Sequence, residues 1–98
     1  MSAYFVVRCS YHKIDDYKNY AKAAAKAVSQ FNGKFLVTGQ GRQIQKETGQ
    51  DPKTVIVEFE TMDKAISCYE SETYQKALSF IEHSSNRDFV IVEGLNSN

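Results

Sequence analysis

The sequence predicts an α+β domain, a ferredoxin-like plait of βαββαβ order with an antiparallel four-stranded sheet. Three observations lead to this prediction: four short segments are rich in β-branched and aromatic residues, two longer stretches repeat apolar residues every three or four positions, and polar or glycine-containing breaks separate them. Right-handed crossovers and a hairpin between strands two and three put both helical stretches on one face of the sheet. The 98 residues suit a single domain spanning residues 1–98.

The chain opens with a strand that is followed by an amphipathic helix. The β-rich segment from Tyr4 to about Tyr11 forms the strand, and Asp15 and Asp16 place negative charge in the first turn of the helix. Asn32-Gly33 ends the helix, because a left-handed C-terminal cap favours these residue types. The apolar stripe of the helix consists of Ile14, Tyr17, Ala21, Ala24, Val28 and Phe31.

A hairpin is predicted after this helix. Lys34 to Thr38 forms the second strand, Gly39 and Gly41 mark a bend or bulge, and the strand continues through residues 43–45. The segment Gly49 to Pro52 supplies turn chemistry, since proline fixes φ and aspartate bonds its own backbone. The third strand then covers residues 54–59, which are dense in β-branched side chains.

The last third of the chain predicts a broken helix and a final strand. Thr61 is a candidate N-cap, and Ser71 caps again after a break in the helix. Polar residues 84–86 precede the last strand, Phe89 to Val92, and residues 96–98 are expected to form a loose tail. The apolar stripe across both helical parts is Met62, Ala65, Ile66, Tyr69, Tyr74, Ala77, Leu78 and Ile81.

The predicted strands carry apolar residues at both odd and even positions. Residues 4–7, 55–57 and 89–92 put apolar side chains on both faces of the sheet, whereas two short helices cover only one face. Leaving the second face in water would forgo roughly 1.5–3 kcal/mol per residue and create a large apolar patch. The sequence therefore predicts a homodimer through this sheet face, the alternative being that short buried strands are simply apolar throughout.

Charge and cysteine content disfavour several classes of protein. Twelve basic and twelve acidic residues cancel, so no long-range field attracts nucleic acid or a membrane surface, and no apolar run approaches the about 18 residues of a membrane span. RNA-recognition modules share the βαββαβ order, but residues 54–59 lack their basic glycine-aromatic motif. Cys9 and Cys68 fit no disulfide framework, so unpaired thiols in a cytoplasmic protein are expected.

Five short blocks of the sequence have a characteristic order and spacing. On these blocks, from Ala3 to Gly94, the chain resembles the uncharacterised family numbered 1330 among the domains of unknown function, in the dimeric α-β barrel superfamily. The resemblance implies a homodimer whose two sheets form a barrel, with a cleft between sheet and helices where superfamily relatives bind small molecules. It implies no particular chemistry. The blocks are residues 16–20 (DYKNY), 33–37 (GKFLV), 57–59 (VEF), 69–75 (YESETYQ) and 90–94 (VIVEG).

Two positions depart from the pattern of that family. Thr38 stands where an arginine is expected after the second strand, and Ile81 stands where a basic residue is expected late in the second helical stretch. Neither side chain replaces the bidentate carboxylate recognition that arginine provides. The resemblance therefore implies a ligand that is neutral or only weakly anionic.

Five residues are candidates for ligand binding in the cleft. Arg8 and Glu58 lie on neighbouring central strands, where they form either a structural ion pair or a ligand-orienting pair, depending on the register. Tyr69 and Tyr74, like other tyrosines on the helix faces, can donate a phenol hydrogen bond while the ring packs in the core. His83, near the end of the last helical stretch, is the fifth candidate.

The sequence does not specify a reaction. No Ser-His-Asp, Cys-His or paired-carboxylate arrangement is visible in the sequence. The histidines lack the spacing of metal ligands, and Gly39-Gln40-Gly41 lacks the third glycine and the helix of a dinucleotide site. Neither a metal nor a cofactor is therefore predicted. A domain that binds a small molecule between sheet and helices is favoured. The alternative is a cofactor-independent enzyme of the dimeric α-β barrel type, monooxygenase-like or isomerase-like, and the sequence identifies neither ligand nor substrate.

Overall fold

The computed structural model describes residues 1–49 and 52–95. The predicted turn at residues 49–52 lies partly outside the described residues, and the predicted tail at 96–98 lies wholly outside them. The elements follow the predicted order, with the second helical stretch divided in two. They are β1 (Ala3–Tyr11), α1 (Ile14–Gln30), β2 (Lys34–Val37), β3 (Lys53–Phe59), α2 (Met62–Glu70), α3 (Glu72–Ser79) and β4 (Ser85–Glu93).

The four strands form one antiparallel sheet in the order β2-β3-β1-β4, which confirms the ferredoxin-like α+β prediction. The odd-numbered residues of β1 are buried under the helices, and their partners across β3 and β4 share this face, which we call the helix face. The even-numbered residues of β1, β3 and β4 point to the opposite side, which we call the open face. Side chains alternate in this way because the strand period is two.

Helices α2 and α3 begin where the predicted capping residues stand, whereas α3 ends at Ser79, before the predicted stripe residue Ile81. The side-chain oxygen of Thr61 accepts from the Lys64 backbone N–H at 3.1 Å, and that of Ser71 accepts from Tyr74 at 3.1 Å. Each hydroxyl satisfies a donor that the first helical turn leaves without a backbone partner. Asn32 follows α1 with a φ of 57°, in the left-handed region that asparagine tolerates.

Two predicted strand boundaries are wrong. The chain leaves the sheet after Val37, where Gly39 takes a φ of 85°, and residues 43–45 are not a strand. Their side chains instead reach back to the sheet, since Arg8 Nη2 donates to Gln45 Oε1 at 2.6 Å. At the other end, β4 begins at Ser85 rather than Phe89, because all nine residues of β1 find an antiparallel partner between Ser85 and Glu93.

The core lies between the helix face and the helices and is rich in aromatic rings. Phe5 sits at its centre, with ring centroids 4.6 Å from Phe59, 4.8 Å from Phe89 and 5.9 Å from Tyr74. Both cysteines are buried and unpaired, as predicted. None of the helices in the described part of the chain is long and apolar enough to cross a membrane.

Candidate functional site

A cleft of about 210 Å³ lies between α1 and the helix face of the sheet. Its floor consists mainly of strand residues and its roof of α1 residues, and α3 contributes Tyr74. Most of the lining is aliphatic or aromatic, which is the usual composition of a small-molecule site. The lining residues from the sheet are Phe5, Val7, Tyr11, Phe35, Val55, Val57, Arg87 and Phe89, those from the helices are Tyr17, Tyr20, Ala21, Ala24, Val28 and Tyr74, and Thr38 follows the end of β2.

Three polar side chains of the cleft are joined by hydrogen bonds in the tyrosine–arginine cluster of Tyr20, Tyr74 and Arg87, whereas Tyr11, Tyr17 and Thr38 place hydroxyls elsewhere in the lining. Arg87 Nη2 donates to Tyr20 Oη at 2.9 Å and to Tyr74 Oη at 3.0 Å, and the two phenol oxygens lie 2.7 Å apart. Three separate elements supply these side chains: α1, the first turn of α3 and β4. Because Ser71 caps α3 at the Tyr74 backbone N–H, the start of that helix is fixed beside the cleft.

The cluster keeps one positive charge in a largely apolar environment. Burial raises the pKa of the Tyr20 and Tyr74 phenols, so both remain protonated at neutral pH. Burial opposes the charge of Arg87, but the adjacent Tyr20 and Tyr74 oxygens outweigh it and raise the pKa of the guanidinium. The guanidinium carbon also lies 5.0 Å from the Tyr20 ring centroid and 5.1 Å from that of Phe89, within the range of cation–π attraction.

A second cation lies near the same end of the helix face. Lys53 Nζ is 4.2 Å from the ring centroid of Tyr17, a residue that lines the cleft. In the sheet, Cys9 pairs with Lys53 on one side and with Arg87 on the other, so the two cations lie in one row across three strands. None of the described residues that line the cleft is acidic. This end of the cleft is therefore electropositive.

Arg8 and Glu58, the two charged residues predicted to line the cleft, lie on the open face instead. Even-numbered positions of β1 and β3 point away from the helices, and the apolar runs at both parities gave no indication of which parity does so. The two residues do not form a cross-strand pair either. Arg8 lies opposite Thr54, whereas Glu58 lies opposite Tyr4, whose hydroxyl donates to Glu58 Oε2 at 3.3 Å. A role for Arg8 or Glu58 in ligand binding stays a prediction.

Of the other predicted residues, Tyr74 alone contributes to the cleft wall. Tyr69 packs behind it, with its ring centroid 5.3 Å from that of Tyr74. His83 is exposed in the turn after α3 and lies away from the cleft. Thr38 lines the cleft, as its family position implies, whereas Ile81 is buried in the core.

Sequence reasoning missed Arg87, the charged residue of the cleft. Polar residues 84–86 predict a break before the last strand, so Arg87 lies outside the predicted strand, Phe89 to Val92. Its position two residues before Phe89 gives it the same parity as Phe89 and Ile91, both of which pack against the core. A longer β4, matched to the length of β1, would have placed the arginine on the helix face.

The fold and the cleft define a class: small α+β plait domains with a ligand-sized space between the sheet and its helices. The chain belongs to the family described as Domain of unknown function (DUF1330), whose model matches residues 2–95. This confirms the resemblance seen in the sequence. The chain has no significant sequence match among curated proteins.

Three solved structures illustrate the similarity of fold. A protein of unknown function from Rhodopseudomonas palustris superposes with a TM-score of 0.74 at 11% identity, covering 97% of this chain and 83% of that one. A variant of SnoaB, a cofactor-independent oxygenase from Streptomyces nogalater, gives 0.64 at 14% identity, covering 98% and 95%. A dimeric ferredoxin-like protein of unknown function from Thermobifida fusca gives 0.62 at 14% identity, covering 93% and 89%. At these identities the similarity shows the fold alone.

Proposed function

We propose that this domain binds a small, neutral or weakly anionic molecule in the cleft between α1 and the helix face. The observation that supports this is the cleft itself, a largely apolar space in which three polar side chains converge in the tyrosine–arginine cluster. Small-molecule sites combine an apolar lining with a few oriented polar groups in the same way. The packing of a core alone does not account for an arginine beside an open space, since buried charges are costly.

A second candidate function is a cofactor-independent enzyme, monooxygenase-like or isomerase-like. The structural similarity to the Streptomyces nogalater oxygenase favours it, although that similarity extends to the fold only. Proton abstraction requires a base, and the polar groups of the cluster are two protonated phenols and an arginine. We therefore favour ligand binding over catalysis as the function of the cleft.

A matched pair of substitutions on α1 tests the binding proposal. Ala21 lines the cleft, whereas Ala25 on the same helix is exposed, so Ala21→Phe fills the site and Ala25→Phe does not. Small aromatic molecules are titrated into ¹⁵N-labelled protein, and changes in the amide spectrum are mapped. We expect changes around the cleft that Ala21→Phe abolishes and Ala25→Phe preserves. Changes confined to other surfaces, or equal in both variants, would contradict the proposal.

The proposal includes a homodimer formed through the open face. In the sheet register Val37, Ile56, Val6 and Val90 form one apolar row across all four strands, and Val90 is 45% exposed. A second copy related by a two-fold axis presents the same row and covers it. The dimeric ferredoxin-like protein from Thermobifida fusca supports this choice of partner. Two buried free thiols agree with the reducing, cytoplasmic location that the proposal retains.

Ile56→Asp tests the dimer, because a charge without a partner in a dry interface is costly. Sedimentation velocity at micromolar concentration should show a dimer for the natural chain and a folded monomer, or loss of folding, for the variant. Ala25→Asp, on the exposed side of α1, is the control and should remain dimeric. A natural chain that sediments at 11.1 kDa would refute the dimer.

A further inference from the structure

We infer that the tyrosine–arginine cluster is an oxyanion subsite, and that the ligand of the cleft is a small apolar monoanion, a carboxylate or a phenolate. The inference rests on the proposed binding function and selects the anionic class of ligand over the neutral one. It follows from the hydrogen-bond inventory of the cluster, from the charges around it and from the shape of the remaining cleft.

The cluster has more donors than acceptors. A guanidinium only donates, and each phenol has a single O–H donor. Arg87 Nη2 uses both phenol oxygens, and one phenol donates to the other across 2.7 Å. The phenol that accepts this bond keeps a free O–H, and the buried Arg87 Nε has no partner among the described residues. A ligand group that accepts hydrogen bonds and donates none therefore completes the cluster.

The charges around the cluster favour an acceptor that is negative. Arg87 and Lys53 lie in one row on the helix face, and no described residue of the cleft lining is acidic. Lys64 and Glu60, the one ion pair found among the described residues, lie elsewhere on the surface. In a largely apolar site, attraction between unlike charges is much stronger than in water. An anionic oxygen therefore gains more here than a neutral carbonyl.

The remaining cleft limits the size and charge of the ligand. Away from the cluster, the lining is mostly aliphatic or aromatic, including Phe5, Val57 and Phe35, and its other polar groups are the uncharged hydroxyls of Tyr11, Tyr17 and Thr38. A second negative charge on the ligand would be buried against these side chains without a partner, which is costly. About 210 Å³ accommodates one ring or a short alkyl chain beside a single planar oxyanion.

The experiment compares probes of matched shape and different charge by calorimetry and NMR. Benzoate and 4-nitrophenolate provide the two kinds of oxyanion, and benzamide is the neutral counterpart of benzoate. We expect benzoate to bind about tenfold more tightly than benzamide at neutral pH, since charge-assisted hydrogen bonds are roughly twice as strong as neutral ones. Whichever of benzoate and 4-nitrophenolate binds more tightly then shows whether the subsite prefers a carboxylate or a phenolate.

Two arginine substitutions test the role of the cluster. Arg87→Met should reduce the preference for benzoate over benzamide to about unity, because the charge-assisted bonds are lost. Arg42→Met, which removes an exposed arginine outside the cleft, should leave the preference unchanged. If Arg87→Met does not fold, Arg87→Lys replaces it, since lysine keeps the charge and should retain part of the preference for benzoate over benzamide. The comparison of benzoate with benzamide in the natural chain requires no variant.

The outcomes separate this inference from the function on which it rests. If no probe perturbs the amides of the cleft, the binding proposal fails. If benzamide binds as tightly as benzoate in the natural chain, or the preference survives Arg87→Met, the cleft binds molecules but the oxyanion subsite is refuted.

Discussion

Replacing Tyr74 by Phe measures what one hydroxyl of the cluster contributes to stability. The substitution removes the oxygen that accepts from Arg87 at 3.0 Å and pairs with Tyr20 at 2.7 Å, while the ring keeps its place. Tyr74 is 1% exposed, so little water reaches the groups that lose a partner. A hydrogen bond to a charged group contributes about 1.5–3 kcal/mol, and we expect the free energy of unfolding to fall by this amount.

Urea and thermal denaturation are measured at one fixed protein concentration, because the stability of the proposed dimer would depend on concentration. For a domain of this size each kcal/mol shifts the melting temperature by about 4–8 °C, so Tyr74→Phe should lower it by roughly 6–24 °C. Tyr69→Phe is the control. Its ring lies in the same aromatic cluster, but its hydroxyl makes no hydrogen bond among the described residues, so the change should stay within about 0.5 kcal/mol. Equal losses in both variants would show that the hydrogen bonds of the cluster do not stabilise the fold.

Three further predictions concern the scaffold around the cleft. Gly33→Ala should cost about 1–3 kcal/mol in urea denaturation, since a Cβ there would lie 2.6 Å from Val28 Cγ1, whereas Gly41→Ala meets nothing within 4 Å and should be nearly neutral. Ser71→Ala removes the cap of α3 and should cost about 1 kcal/mol, which Ser71→Asp should largely restore; equal losses would argue against the cap. Burial raises the pKa of the Cys68 thiol from 9.0 to about 11, so the unfolded chain loses this proton first. Stability should therefore decrease as the pH rises from about 9 to 11, and less so in Cys68→Ala; identical pH profiles would contradict this.

The fold could be predicted from the sequence because several local features agree. Hydrophobic periodicity defines the helices, β-branched runs define the strands, and the residues before α2 and α3 cap them as their chemistry predicts. The strand boundaries that were wrong lie where the local sequence preference for a strand is weak. Residues 43–45 have a strand-like pattern but follow Gly39, whose positive φ takes the chain out of the sheet.

The site was harder to predict, because it depends on strand parity and on the length of one strand. Apolar residues at both odd and even positions of β1 and β3 carry no information about which face meets the helices, so the sequence does not reveal that Arg8 and Glu58 lie on the open face. Arg87 follows a polar segment that reads locally as a loop, and only pairing with β1 extends β4 through it. That pairing is a long-range property, which local sequence does not contain. Tyr74 was found because it lies on the predicted apolar stripe of a helix.

The alternation along β1 divides one strand between two separate surfaces. Val7 and Phe5 form part of the cleft floor, while Val6, between them in sequence, belongs to the apolar row of the open face. We therefore expect substitutions at odd positions to change the lining of the cleft and substitutions at even positions to change the open face, with little interference between them. Such a scaffold can diverge in the first respect during evolution while selection holds the second constant.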